Sequence, residues 1–71
     1  MDVKELIQNM VNDLKDDFML QAIFDRNIVE IEKAKDSGIT YKRIFVLFNE
    51  QIENDKNQIS MPHFRDLIFR A

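Results

Sequence analysis

Apolar side chains return at intervals of three and four along four separate stretches of this chain, and no other feature restricts its fold so much. Val3, Leu6, Ile7, Met10, Val11 and Leu14 hold the spacing first. Leu20, Ile23, Phe24, Ile28, Ile31 and Ala34 take it up next, then Ile44, Leu47 and Phe48, and finally Phe64, Leu67 and Ile68. Residues three and four apart share one face of an α-helix, whereas a half-buried strand needs strict alternation. Four amphipathic helices follow, with breaks near Asp16–Met19, Asp36–Ile39 and Glu53–Ile59. The single glycine and single proline among 71 residues leave little material for turn-rich architectures. The fold class expected is all-α: a compact bundle of about four helices.

Local start and stop signals agree with those breaks. Asp2 is placed to cap the first helix, with Glu5 three residues on in a capping-box arrangement. Asp16 or Asp17 stands ready to cap the second, just before Phe18, Met19 and Leu20. Gly38 follows Lys33 and Lys35 as a helix stop, where cations suit the negative end of the helix dipole. Thr40 is positioned to cap a helix from Tyr41 to Gln51 or Glu53. Ser60 does the same for a last helix, with Pro62 in the first turn, where a missing N–H costs little. Glu53 to Gln58 holds no apolar residue and reads as a loop.

The whole chain, 1–71, reads as one domain: an N-terminal amphipathic helix over 1–16 and a helix–turn–helix-like core over 20–71. An apolar content of 45% is enough for a core built from Phe, Ile, Leu and Met. Leu14, Phe24, Ile28, Ile31, Ile44, Phe48, Phe64 and Leu67 are predicted at its centre. The middle helix is the most apolar and is expected to pack under both C-terminal helices. Val3, Ile7, Met10 and Leu14 also follow a coiled-coil rhythm, which admits a homodimer through the N-terminal helix.

The inventory argues against an enzyme. His63 is the only histidine and there is no cysteine, so nucleophile–base pairs and conventional zinc sites lack parts. Asn54, Asp55 and Asn57 lack the glycine and the closing glutamate of a calcium loop. No cofactor, metal ligand set or membrane span is expected, and the absence of cysteine suits a reducing, cytoplasmic setting.

Charge is uneven along the chain. The net charge is −3, which weighs against nucleic-acid binding. Residues 1–40 carry nine acids against Lys4, Lys15, Arg26, Lys33 and Lys35, whereas residues 41–71 carry four acids against Lys42, Arg43, Lys56, Arg65 and Arg70. If the last helix entered a DNA groove, Gln58, Met61, His63 and Arg65 would face bases. Lys42, Arg43, Lys56 and Arg70 would face the backbone, and Ser60 would meet a phosphate at the helix start.

The runs IEKAKDSGITYKRIFVLFNEQ and ISMPHFRDLIFRA resemble small helix–turn–helix modules of plasmids and other mobile elements, including accessory proteins of conjugative transfer. Gly38, Ile39, Thr40, Tyr41, Ile44, Phe48, Ile59, Ser60, Phe64 and Arg70 occupy the places of that pattern, over about residues 28–71. The resemblance implies double-stranded DNA binding by the last helix, as a regulator or transfer accessory. Two features depart from it. The Glu50–Ser60 connection exceeds the usual three- or four-residue turn, and Phe45 stands where a small residue is usual. The alternative is an acidic helical module that binds a protein partner and no DNA. The two differ in their surfaces. DNA binding requires the basic residues to converge, whereas a protein partner requires scattered charge and an exposed apolar patch containing Met10, Met19 or Phe69.

Overall fold

The computed structural model describes residues 2–16, 18–52 and 58–71. These form four helices, α1 (Val3–Lys15), α2 (Leu20–Asp36), α3 (Tyr41–Gln51) and α4 (Met61–Arg70), with no strand among the described residues. The expected breaks after α1 and α2 are present; α3 ends at Gln51 and α4 begins at Met61, and residues 53–57 of the expected Glu53–Ile59 break and loop lie outside the described residues. The caps account for most of the boundaries. The Asp2 carboxylate accepts from the Lys4 N–H at 2.7 Å and the Thr40 hydroxyl from the Arg43 N–H at 3.1 Å. The Ser60 hydroxyl accepts from the His63 N–H at 3.3 Å. At the end of α2, Ile39 N–H donates to the Ala34 carbonyl and Gly38 N–H to the Lys35 carbonyl, a Schellman closure. That closure needs the positive φ of 105° that Gly38 adopts.

One cap differs from expectation. The residue preceding α2 is Met19, which has no side-chain cap, while Asp16 closes the C-terminus of α1. The Asp16 N–H is already bound to the Asn12 and Asp13 carbonyls, so the residue belongs to the helix it ends. Asp17 lies outside the described residues.

The buried side chains make one cluster. α1 supplies Leu6, Ile7, Met10 and Val11; α2 supplies Ile23, Phe24 and Ile31; α3 supplies Ile44 and Phe48; α4 supplies Phe64, Leu67 and Ile68. Phe24 is the hub, meeting Phe48 at 5.8 Å and Phe64 at 5.5 Å, both edge to face. Such ring pairs add about 0.5–1.5 kcal/mol each beyond the area they bury. No polar side chain among the described residues is buried.

Several expected core positions shift. Leu14 and Ile28 are only half-buried. Ile28 sits at the rim of the arc that Ile23, Phe24 and Ile31 define on α2, and Leu14 lies in the last turn of α1. Val29 is 62% exposed, on the side of α2 opposite that arc. The four helices pack in a ring: α1 lies on α2 and α3, and α4 lies on α2 and α3. The middle helix meets both C-terminal helices, as expected, but unequally. It packs along α4 and reaches α3 through the Phe24–Phe48 contact, because α1 covers the other flank of α3.

Burial of the α1 stripe also removes the N-terminal dimer surface. Ile7 and Met10 are 1% and 0% exposed within the chain's own core, so the coiled-coil rhythm is used internally.

Candidate interaction surface on the last helix

The surface begins with how α4 is anchored. Ile52 and Ile59, on either side of the undescribed residues 53–57, are both buried. Asn49, near the end of α3, holds the far side: its Nδ2 donates to the Ile59 carbonyl at 2.9 Å and its Oδ1 accepts from the Ile59 N–H at 3.1 Å. One side-chain amide thus pairs with both backbone polar groups of one residue, as a neighbouring strand would. Gln58 Nε2 donates to the Asn49 carbonyl at 3.1 Å, which also accepts the Ile52 N–H at 3.2 Å, and to the Ile52 carbonyl at 3.4 Å, both at the end of α3. The two described ends of the connection are thereby tied to the end of α3.

Phe45 has a role at the same junction. Its ring meets Phe64 edge to face at 5.5 Å, so an aromatic ring fills the space that a small residue would leave for close helix approach. The α3–α4 packing is the sparsest of the four pairings in the ring. At the other end of α4, Gln21 Nε2 donates to the Leu67 carbonyl at 3.1 Å and ties the helix to α2.

With Phe64, Leu67 and Ile68 inward, the opposite face of α4 carries Pro62, Arg65, Asp66 and Phe69. These fall at i, i+3, i+4 and i+7, a second stripe diametrically across from the buried one. Together with half-buried Met61 they line a shallow depression. Phe69 is 81% exposed, the most exposed large apolar side chain among the described residues. Asp66 sits in the middle of this face and accepts an ion pair from Arg70 Nε at 3.3 Å.

The residues predicted to contact DNA border more than one depression. Arg43 borders a cleft between α1 and α3 with Lys4, Gln8, Leu47 and Glu50, whereas Arg65 borders the α4 depression. Lys42 is exposed on α3. Gln58 and Ser60 are engaged in closing the connection and capping α4, and Met61 packs against the core. His63 and Arg65 are exposed at the start of α4, and Arg65 forms no ion pair among the described residues. Arg70 is paired with Asp66. Lys56 lies outside the described residues. Of the three apolar residues named as markers of a protein partner, Met10 is buried, while Met19 and Phe69 are 77% and 81% exposed.

One ionisable group stands out. Tyr41 donates to the Glu32 carboxylate at 2.6 Å, and the hydrogen bond, with burial and the Glu32 charge, pushes its pKa up to about 12. Lys35 lies over the ring at 4.4 Å. The arrangement locks the α2–α3 corner and lies away from the α4 face. Among the described residues no group of His, Asp and Glu could hold a metal ion, and no helix is long and apolar enough to cross a membrane.

Asn49, Gln21 and Asn27 were not singled out by sequence. Asn27 donates to the Ile23 carbonyl at 2.7 Å and to Asp13 at 3.4 Å. The available signal was an amide inside an apolar stripe, as with Asn27 between Phe24 and Ile28. The described molecule is a small all-α domain whose last helix carries an exposed Phe69 on the face opposite its buried stripe. No family model matches the chain, and no curated protein or solved structure matches it either.

Proposed function

We propose that the chain is an acidic helical protein-binding module that docks through the outward face of α4. The observation that carries this reading is the placement of Phe69, 81% exposed beside Pro62 and Met61 on a helix whose other face is already buried. An aromatic side chain costs solvation when left in water and supplies most of the energy of a contact when it enters a partner's pocket. Arg65 and Asp66 on the same face give the contact its orientation. A net charge of −3 fits such a module.

A photo-crosslinking residue at position 69, compared with one at exposed Glu5, tests the reading in cells. A protein adduct specific to position 69 supports it when the purified partner binds at least about tenfold more weakly to Phe69→Ala, the loss that 1.4 kcal/mol produces. Absence of any adduct specific to position 69 overturns it.

DNA binding is the second reading, favoured by the exposure of His63 and Arg65 in the first turns of a capped helix. On that reading the chain is a regulator or transfer accessory of a mobile element. The acid at position 66 would then face phosphates, and the net charge opposes approach to a duplex. Fluorescence anisotropy against mixed duplex DNA at two salt concentrations separates the two. Binding that falls steeply with salt and is lost in Arg65→Ala favours DNA, and no binding at about 50 mM salt eliminates it.

A further inference from the structure

We propose that the cleft between α1 and α3 binds a small phosphomonoester, its phosphoryl group between Lys4 and Arg43 and a hydrogen-bond donor at its far end on Glu50. The cleft has a volume of about 470 Å³, within the range of small-molecule sites. Lys4, Ile7 and Gln8 share one face of α1, and Arg43, Leu47 and Glu50 share one face of α3, so two stripes form its walls. Ile7 is 1% exposed and Leu47 is half-buried, which makes the middle of the cleft apolar. Leu6, Ile44 and Phe48 hold both helices in the core, so the cleft is set by the fold itself.

Its charges are separated end from end. Val3 and Ile39 border one depression, so α1 and α3 begin at the same end of the molecule. Lys4 and Arg43, the second and third residues of those helices, stand at that end. Glu50 lies two turns further along α3, about 10 Å from Arg43 along the axis. No ion pair among the described residues engages Lys4, Arg43 or Glu50. Asp2, the acid nearest Lys4 on the other side, borders the depression against α2 instead.

These positions define the ligand. Two unpaired cations match a phosphoryl dianion, the planar guanidinium taking two oxygens and the ammonium acting as a point charge. A monocarboxylate would leave one cation unanswered. Ionised Glu50 only accepts, so the group that reaches it must donate. Gln8 Nε2 already donates to Asn12 at 3.2 Å, which leaves the Gln8 oxygen as a second acceptor between the two ends. Ile7 and Leu47 take the body of the ligand. An aminopurine nucleoside monophosphate combines these parts over that span, and adenosine 5′-monophosphate is the probe.

Amide chemical shifts of the full chain, followed through titrations with adenosine 5′-monophosphate, adenosine and inorganic phosphate, test the proposal. The nucleotide should move the signals of Lys4, Gln8, Arg43, Leu47 and Gln51 saturably, with Kd between about 10 μM and 1 mM, as suits an open site. Phosphate alone and adenosine alone should each bind at least about tenfold more weakly. Lys4→Gln and Arg43→Gln should each weaken the nucleotide at least about tenfold, whereas Arg65→Gln on α4 should leave it unchanged. Glu50→Gln should weaken the nucleotide but not phosphate, which separates the two ends of the cleft. Circular dichroism establishes that these surface variants remain folded. No saturable shift in the cleft, shifts spread equally to Arg65 and Arg70, binding indifferent to Arg43→Gln, or a nucleotide no tighter than phosphate each overturns the proposal. The cleft shares no residue with the α4 depression, so either result leaves the protein-binding reading to its own test.

Discussion

Replacing Asn49 by alanine removes the amide that pairs with both polar groups of Ile59. The two bonds, 2.9 and 3.1 Å long, are partly buried, and a bond of that kind contributes about 0.5–1.5 kcal/mol net. Losing both should cost roughly 1–3 kcal/mol, because among the described residues the Ile59 N–H and carbonyl bond only to that side chain. For a domain this size each kcal/mol lowers Tm by about 4–8 °C, so a fall near 8–16 °C is expected for a loss of 2 kcal/mol. Asn49→Asp is the sharper variant. It keeps an oxygen to accept from the Ile59 N–H, but sets a second oxygen against the Ile59 carbonyl where Nδ2 now donates. It should cost at least as much as alanine above the carboxylate's pKa and recover in part when acid protonates it. Urea unfolding measures the cost, and amide exchange at Ile59 reports the local release. If Asn49→Ala stays within about 0.5 kcal/mol of wild type, with Ile59 as protected as before, the side chain does not hold the connection and the reasoning fails.

Phe24→Ala empties the hub of the aromatic cluster and should cost about 3–5 kcal/mol, much of the roughly 4–10 kcal/mol available to a chain this long; a cooperative melt unchanged from wild type would contradict the packing. Tyr41 is the only tyrosine, so tyrosinate absorbance follows it alone, rising near pH 12 in the folded chain and near pH 10 in urea. Because the folded pKa is the raised one, its stabilisation is complete below pH 10 and disappears as pH climbs from 10 to about 12, a loss that Tyr41→Phe should not show. Gly38→Ala should cost about 1–2 kcal/mol by thermal melt: a Cβ there meets nothing within 4 Å, so the penalty comes from the positive φ alone.

The helices, the N-caps of α1, α3 and α4 and most of the inward faces were determined by the sequence alone. That information is local: a stripe is defined within four residues, and Asp2, Thr40 and Ser60 each cap a helix through an N–H two or three residues away. Gly38 marks the end of α2 for the same reason, since its backbone angle is a property of one residue. Tertiary structure decided what those faces meet. The α1 stripe suited a second chain as well as a core, and only packing shows Ile7 and Met10 enclosed by α2 and α3. Phe45 looked like an obstruction until its ring was seen against Phe64. Gln58, a base-reading residue by its position, instead donates to the carbonyls that close α3. Asn49 and Gln21 act across 10 and 46 residues of sequence, and no periodicity reaches that far. The charged and apolar residues of the α4 stripe were legible as a helical face, but its exposure depended on which neighbours the other three helices left room for. A side chain's local preferences are written in its near neighbours, and its partner is chosen only when distant segments compete for the same volume.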